Sequence, residues 1–552
     1  MITEIALRNI RLFGEQGQVF RLPKLTVFTG TNSSGKSTVL KSLLLLRQTL
    51  GISESSGMTP DTLRFVGSQV DLGTYDSFVF SREEHRQINI VIGVQNTLGQ
   101  SEVEFLRSLP GLSESEKPSS NQTKSKSSLP YILKASLTFV SGHFLEDSTE
   151  QPLKEGREDE EAPPPLREAI PQGVLKEGIF TITVERDQLL TWQVMLMRKL
   201  QNGDRQYKLI IPRDYFEKVG GFNMMEVDED DGKNVSVAVI LSGVLPMGIF
   251  ARPKSEETKD EQRKMRSQSF PLPPIISRCL THLHASLRRI HYLGPLRSPA
   301  KRYYIVSTSD FVPSLDPTGE FLPNLLVSKA DSKVRHIPPG QSQVVTEKLV
   351  PALAQWLCYL RTGEELSCAD TKEELKVSSL KHVLVELEVK SPVGTKVYPL
   401  ADSGFGYSQV LPILVRGLLT PNNGTLILEQ PELHLNPALQ VRLATFLVHM
   451  ARTGKQVIVE THSEHIVNSI RVLCAEDETG ELANDSGIFF FDIVQGSPVV
   501  RELLIQSDGT VSEWPQNFFG EAASLTGRLL RAQKRFYNTK PYKVIGDGSQ
   551  IY

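Results

Sequence analysis

Eight residues near the N-terminus, Gly30-Thr31-Asn32-Ser33-Ser34-Gly35-Lys36-Ser37, have the types and spacing of a phosphate-binding loop. Gly30 and Gly35 lack a Cβ, so the backbone can wrap closely around an anion and turn several N–H groups inward. Lys36 can reach β- and γ-phosphates, and Ser37 offers a hydroxyl to Mg²⁺. Thr38 carries the run into a helix whose N-terminus faces the anion. A plain Gly/Ser turn would need no particular context. Here an apolar strand, Leu25-Thr26-Val27-Phe28, precedes the loop, and a leucine-rich helical stretch from Lys36 to Leu50 follows it.

Three further constellations carry chemistry. Leu426-Ile427-Leu428-Glu429-Gln430-Pro431-Glu432 is an apolar strand ending in a carboxylate, as a Mg²⁺ site opposite such a loop requires. Glu429, the first acid after the strand, is therefore the candidate metal-side residue beside Ser37. Val457-Ile458-Val459-Glu460-Thr461-His462-Ser463 ends a second apolar strand, and its histidine is placed to hydrogen-bond a γ-phosphate or an attacking water. A lone histidine is usually a satisfied structural residue; His462 is favoured because its strand follows the Glu429 strand with one helix between. Finally, Asp402-Ser403-Gly404-Phe405-Gly406-Tyr407-Ser408-Gln409 opens a helix and gives a second anion-facing helix start, with Pro412 expected in the first turn.

These residues need a scaffold. At 552 residues the chain exceeds one compact core, so two or three units are expected. Hydrophobic residues at 39%, charged residues at 23% and a net charge of -3 are ordinary for a globular chain and exclude one coated in nucleic acid. No run reaches the length of a bilayer span, and Met1-Ile2-Thr3-Glu4-Ile5 lacks the pattern of a secretory signal, so no membrane association and a cytoplasmic location are expected. Cys279, Cys358, Cys368 and Cys474 are scattered, which argues against a disulfide framework or zinc site.

Thr3 to Leu7 reads as a strand, and Thr425 to Leu428 and Gln456 to Val459 as buried parallel strands, followed by helices from Pro437 and Glu464. His382 to Val389 and Lys396 to Leu400 read as a strand pair. The middle of the chain differs. Tyr131 to Val140, Ile179 to Val184, Tyr207 to Ile211 and Val235 to Leu241 are strand-like, and the polar runs 113–130, 146–166 and 253–269 separate them as loops or linkers. Heptads are missing, so a long coiled-coil arm is not expected.

The order of the motifs resembles the ABC ATPase class that includes SMC and DNA-repair heads. The resemblance implies an α/β fold: an ABC-type P-loop head with a large β-containing insertion between the loop and the signature. Its units would be 1–110 (first half of the head), 111–280 (insertion), 281–510 (second half) and 511–552 (C-terminal helix and tail). It implies ATP and Mg²⁺ as ligands, with Gly30 to Thr38 on the nucleotide and Ser37 and Glu429 on the metal. Ser403, Gly404, Gly406, Ser408 and Gln409 would form the signature loop, which in such heads closes on the nucleotide of a second copy. His434-Leu435-Asn436-Pro437 takes the D-loop position, and Gln430, Glu432 and His462 the catalytic positions.

The wording of the signature and Glu429 motifs, with Tyr292-Leu293-Gly294-Pro295-Leu296-Arg297 and Trp514-Pro515-Gln516-Asn517-Phe518-Phe519, is similar to one bacterial subgroup. This holds OLD-like and Septu-type ATPases, including those encoded beside retrons, which act in phage defence with a nuclease. The similarity covers roughly residues 1–80 and 285–530. It implies a homodimer or larger assembly, an HNH-type nuclease partner, and contact with DNA or with a retron reverse transcriptase–nucleic-acid complex.

Two departures temper the catalytic reading. Gln430 stands where ABC ATPases usually carry a glutamate; it can orient water but cannot take a proton, so slow hydrolysis is expected unless Glu432 substitutes. The signature lacks the usual Leu-Ser-Gly-Gly-Gln string, leaving open which of Ser403, Gly406 and Ser408 meets phosphate. Gln69 is the candidate Q-loop glutamine. No intrinsic nuclease is expected, because the chain after His462 has no Asp-x-Asp, and Asp228-Glu229-Asp230-Asp231 reads as a solvated acidic loop rather than a metal site. Arg297, Lys301 and Arg302 either contact phosphates or pair with surface acids; Arg528, Arg531, Lys534 and Arg535 form a basic helical face. Besides a dimeric ATPase controlling a nuclease, the sequence admits a slow or non-hydrolysing ATP-gated scaffold or DNA sensor, and an SMC-like repair ATPase.

Overall fold

The computed structural model describes residues 1–50, 61–109, 128–145, 172–199, 205–219, 228–229, 232–242, 244–251, 268–305, 317–363, 375–380, 384–390, 397–402, 405–513, 515 and 527–534. A six-stranded sheet organises it, in the order Ile290–Leu293, Thr425–Glu429, Gln456–Glu460, Leu25–Gly30, Ser486–Val494, Ser497–Leu504. The first five run parallel and the last returns antiparallel. Thr425–Glu429 and Gln456–Glu460 are buried along their whole length, as parallel strands covered on both faces must be.

Alternation along these strands divides the interior in two. Phe28, Ile427, Ile458, Phe489 and Phe491 point into one core, shared with the helices Lys36–Leu50 and Pro274–Arg288. Val27, Leu426, Leu428, Val457, Val459 and Phe490 point into the other, covered by the helices Leu349–Thr362, Phe405–Leu419, Pro437–Arg452 and Glu464–Ala475. The α/β head with a β-rich insertion expected from the sequence is the fold observed.

An eleven-stranded antiparallel sheet packs over the first core. It runs from Gln18–Arg21 and Ile2–Arg8 at one edge, through Ile88–Gly99 and Ser128–Ser141, to Gln268–Pro271 at the other. It therefore joins the N-terminal strands to those of the central region in one surface, across residue 110. Ser128–Pro130, expected in a polar loop, begin one of its strands: Ser128 pairs with Gly99 and Pro130 with Thr97. Backbone pairing outweighs side-chain polarity there. Pro130 is tolerated because pairing on the other side starts only at Tyr131.

Pro412 also differs from expectation. The helix begins at Phe405, so the proline lies inside it rather than in its first turn, and the Ser408 carbonyl loses its intrahelical donor. Leu384–Lys390 and Val397–Pro399 form the expected antiparallel pair, with Glu388 opposite Pro399. Most of the three polar runs, Ser403, Gly404, Cys368, Arg535, Trp514, Gln516 to Phe519 and the tail from Asn538 lie outside the described residues.

Candidate nucleotide site

The P-loop turns between the strand Leu25–Gly30 and the helix Lys36–Leu50, at the carboxyl ends of the parallel strands. Gly30 has φ 122° and a Cβ there would lie 2.0 Å from the Phe491 carbonyl oxygen, so only glycine fits. The same carbonyl accepts from the Thr31 N–H at 3.0 Å, fastening the loop to the neighbouring strand. Gly35, at φ 105°, comes within reach of the Phe13 ring, and Ser33 takes a left-handed φ of 58°. Ser34 Oγ donates to the Thr31 carbonyl at 2.7 Å. Lys36 is buried and folds back over the loop, its Nζ donating to the carbonyls of Gly30 (3.2 Å) and Thr31 (2.6 Å). Burial holds its ammonium below the ordinary lysine value, and Glu460 partly opposes that.

Two buried carboxylates stand side by side at the strand ends. Glu429 and Glu460 are register partners on adjacent parallel strands. Glu429 Oε1 accepts from the Tyr292 hydroxyl at 3.0 Å, while Glu460 Oε1 accepts from Ser37 Oγ at 2.9 Å. The acid bonded to the P-loop serine is thus Glu460, whereas the sequence points to Glu429 beside Ser37 and, on the second strand, to His462. Burial, then repulsion from Glu460, pushes the Glu429 carboxyl up to about 7; burial likewise raises Glu460. Two desolvated acids beside a glycine-rich anion cradle fit a site that receives a cation together with a phosphate.

Past the strand, the chain turns sharply. Gln430 has φ 44° and donates its N–H to the Glu460 carbonyl at 2.7 Å. Arg297, only 6% exposed, buttresses this turn: Nη2 donates to the carbonyls of Glu429 (3.1 Å) and Gln430 (3.3 Å). Burial brings the guanidinium down to about 10, with Glu432 opposing. Glu432 Oε1 accepts from the His462 N–H at 2.7 Å, so this acid ties the two turns together. His462 is half-buried, and burial and Lys36 lower its pKa. Ser463 caps the next helix, accepting from Ile466 N–H at 3.1 Å and donating to Gln440 at 2.6 Å. Asn436 caps the helix at Pro437, its side chain accepting from Leu439 N–H at 2.9 Å.

The remaining candidates sit elsewhere. Ser408 and Gln409 are buried on the Phe405–Leu419 helix, and Ser408 borders a cleft with Ser298, Lys301, Tyr304 and Pro412. Gly406 begins that helix beside Leu439. Lys301 and Arg302 pair with the surface acids Glu320 (3.0 Å) and Asp402 (2.8 Å). Gln69 meets Arg47, roughly 16 Å along the helix axis from Lys36. Asp228–Glu229 form a short strand on Asn234–Ser242, and among the described residues no group of three or more His, Cys, Asp or Glu is placed to hold a metal. Arg528, Arg531 and Lys534 are exposed on a helix at 527–534. Cys279, Cys358 and Cys474 are buried free thiols. No helix among the described residues is long and apolar enough to cross a membrane.

Residues 373–468, which hold Glu429 and His462, match a family model for an AAA domain associated with the AbiEii toxin of type IV TA systems. Residues 483–529 match a family of unknown function, DUF3696. A curated relative, the chromosome partition protein Smc of Synechococcus sp., is 44% identical over 62 residues, 11% of this chain and 5% of that protein. Similar solved structures include an SMC head bound to the C-winged helix domain of ScpA (TM-score 0.34, 11% identity, 91% of this chain and 98% of that one). The SMC head with an extended coiled coil bound to the C-terminal domain of ScpA, from Pyrococcus furiosus, scores 0.32 at 11% identity, covering 96% and 99%. The SMC head of Thermotoga maritima scores 0.32 at 9% identity, covering 91% and 98%.

Proposed function

We propose that the chain binds Mg²⁺–ATP at Gly30 to Thr38 and that two copies close on the nucleotide, each offering its Ser403–Gln409 segment to the other's loop. One observation carries this reading: a glycine-dependent loop at the carboxyl end of a parallel sheet with Lys36 and Ser37 at its head. The residues fit the ligand, because Gly30 and Gly35 hold the left-handed loop backbone that a phosphate cradle needs and a buried Glu460 oxygen has no hydrogen-bond partner in the protein. Bound magnesium would neutralise phosphate charge. The chain itself cradles the anion with loop N–H groups, moves Lys36 from loop carbonyls to phosphate, and holds water near Gln430 and His462.

Hydrolysis on this reading is slow. Gln430 cannot accept a proton, and Glu432, the expected substitute, has one oxygen held by the His462 N–H at 2.7 Å and the other buried. The chain is then a nucleotide-gated clamp in the cytoplasm that controls a partner nuclease of HNH type in antiphage defence, alone or with DNA or a retron reverse transcriptase complex. The match to a toxin-system AAA family is compatible with that setting, and an SMC-like repair ATPase fits the comparisons equally.

The test is binding of a fluorescent ATP analogue with particle mass followed by light scattering. Lys36→Ala should abolish binding and the ATP-dependent gain in mass; unchanged binding would sink the nucleotide reading. Phage plaque counts with and without a neighbouring nuclease gene test the defence role, and protection that ignores Lys36→Ala would refute it.

A further inference from the structure

The Ser37 hydroxyl has one hydrogen and two lone pairs. A serine can ligate a cation only through a lone pair, so its hydrogen must go elsewhere, to a group that accepts and never donates. In this chain it goes to Glu460 Oε1 at 2.9 Å. Glu429, the acid at the end of the neighbouring strand, is held instead by Tyr292 at 3.0 Å.

Sheet order explains the exchange. Gln456–Glu460 lies between Leu25–Gly30 and Thr425–Glu429, so Glu460 is opposite Phe28 on one side and Glu429 on the other. Its side chain is therefore one strand nearer to the P-loop than that of Glu429. Glu460 is only 4% exposed, and its second oxygen, Oε2, is buried without a hydrogen-bond partner in the protein. A desolvated carboxylate oxygen left unsatisfied is costly, and it is open to a further partner.

We propose that Glu460 is a positioning residue for the metal: by accepting the Ser37 hydrogen it turns a Ser37 lone pair toward a divalent cation. The assignment rests on the Mg²⁺–ATP reading and adds an acid to it. A glutamine at 460 can turn its amide either way, so an acceptor for the Ser37 hydrogen is no longer assured and the NH2 can donate to a Ser37 lone pair instead. Charge and hydroxyl orientation are lost together, with little change in volume.

The test uses the full chain and reads binding rather than turnover. Mg²⁺ is titrated against a fixed amount of fluorescent ATP analogue, and the half-saturating Mg²⁺ concentration is taken for wild type, Glu460→Gln, Ser37→Ala and the double variant. Loss of a group that orients a metal ligand typically weakens the metal about 10- to 100-fold, so Glu460→Gln should raise the half-saturation point at least about tenfold. In the Ser37→Ala background the same change should cost clearly less than in wild type, because the hydroxyl through which Glu460 acts is gone and only the loss of charge remains. A Glu460→Gln half-saturation within twofold of wild type overturns the assignment, and so does an effect undiminished by Ser37→Ala. Should Glu460→Gln not fold, Glu460→Asp, which withdraws the carboxylate by one methylene, gives a second cycle with the same criterion. Failure of the nucleotide reading itself looks different: wild type and Lys36→Ala would then bind the analogue equally, whatever happens at 460.

Discussion

Glu429→Gln should make the nucleotide-free protein more stable, by an amount set by the pH. The Glu429 carboxyl has an ordinary value of 4.5 and is pushed up to about 7 in the fold, by burial first and by Glu460 second. Between pH 4.5 and 7 the folded state keeps a proton that the unfolded chain has released, so stability falls as pH rises through that window. Above pH 7 both states are ionised and the full penalty applies, about 3 kcal/mol at about 1.4 kcal/mol per pH unit. At pH 5 it is below about 1 kcal/mol. Glutamine carries no charge, and its amide oxygen can still accept from the Tyr292 hydroxyl. The variant should therefore gain about 3 kcal/mol at pH 8, several degrees in Tm, and lose most of that gain at pH 5. The assay is thermal unfolding in chelator at pH 5 and pH 8, since a bound cation would mask the repulsion. A variant no more stable than wild type at pH 8, or a difference equal at both pH values, would refute the claim that this carboxylate is held charged at the expense of stability.

Gly30→Ala should cost about 2–6 kcal/mol, from the left-handed φ and the collision with the Phe491 carbonyl, and be seen as a lowered unfolding midpoint or loss of soluble protein. Gln430→Glu should speed steady-state phosphate release at least about tenfold if a missing base limits turnover; an unchanged rate removes that explanation. Glu432→Ala should release the His462 N–H and cost about 1–3 kcal/mol; if it also ended all residual hydrolysis while leaving stability intact, Glu432 would be a base rather than a tie.

The contrast between Glu460 and Glu429 shows where the sequence is informative. Elements defined by local patterning are legible: Lys36 to Leu50 is a helix with the bounds its leucines suggest, and the helices expected from Pro437 and Glu464 start there. The P-loop is legible for the same reason, since Gly30 and Gly35 answer to their own φ values and to one strand alongside. Which acid meets Ser37 is not a local property. Both Leu426-Ile427-Leu428-Glu429 and Val457-Ile458-Val459-Glu460 are apolar strands ending in glutamate, and only the order of strands in the sheet decides between them. Pro412 differs too: the glycines and serine suggest a helix that starts late enough to put the proline in its first turn, whereas the helix already runs from Phe405, with Val410, Leu411, Ile413 and Leu414 buried along it.

Strand order also gives meaning to residues that the sequence offered only as part of a motif. Ile290–Leu293 is the edge strand next to Thr425–Glu429, so Tyr292 reaches the Glu429 side chain and Arg297, just beyond, reaches the carbonyls of the same turn. Tyr292-Leu293-Gly294-Pro295-Leu296-Arg297 thus supports one acid through its carboxylate and its backbone at once. The second acid is bonded to the P-loop and the third to the His462 turn. Each of Glu429, Glu460 and Glu432 has its own anchor, and all three are raised by burial. Buried acids so arranged are costly in the empty protein, and on the Mg²⁺–ATP reading a cation beside Ser37 and Glu460 would offset part of that cost. Nucleotide binding should therefore stabilise the fold far more with Mg²⁺ than without it, and a thermal shift with ATP in chelator as large as with ATP and Mg²⁺ would show that these acids do not face the ligand.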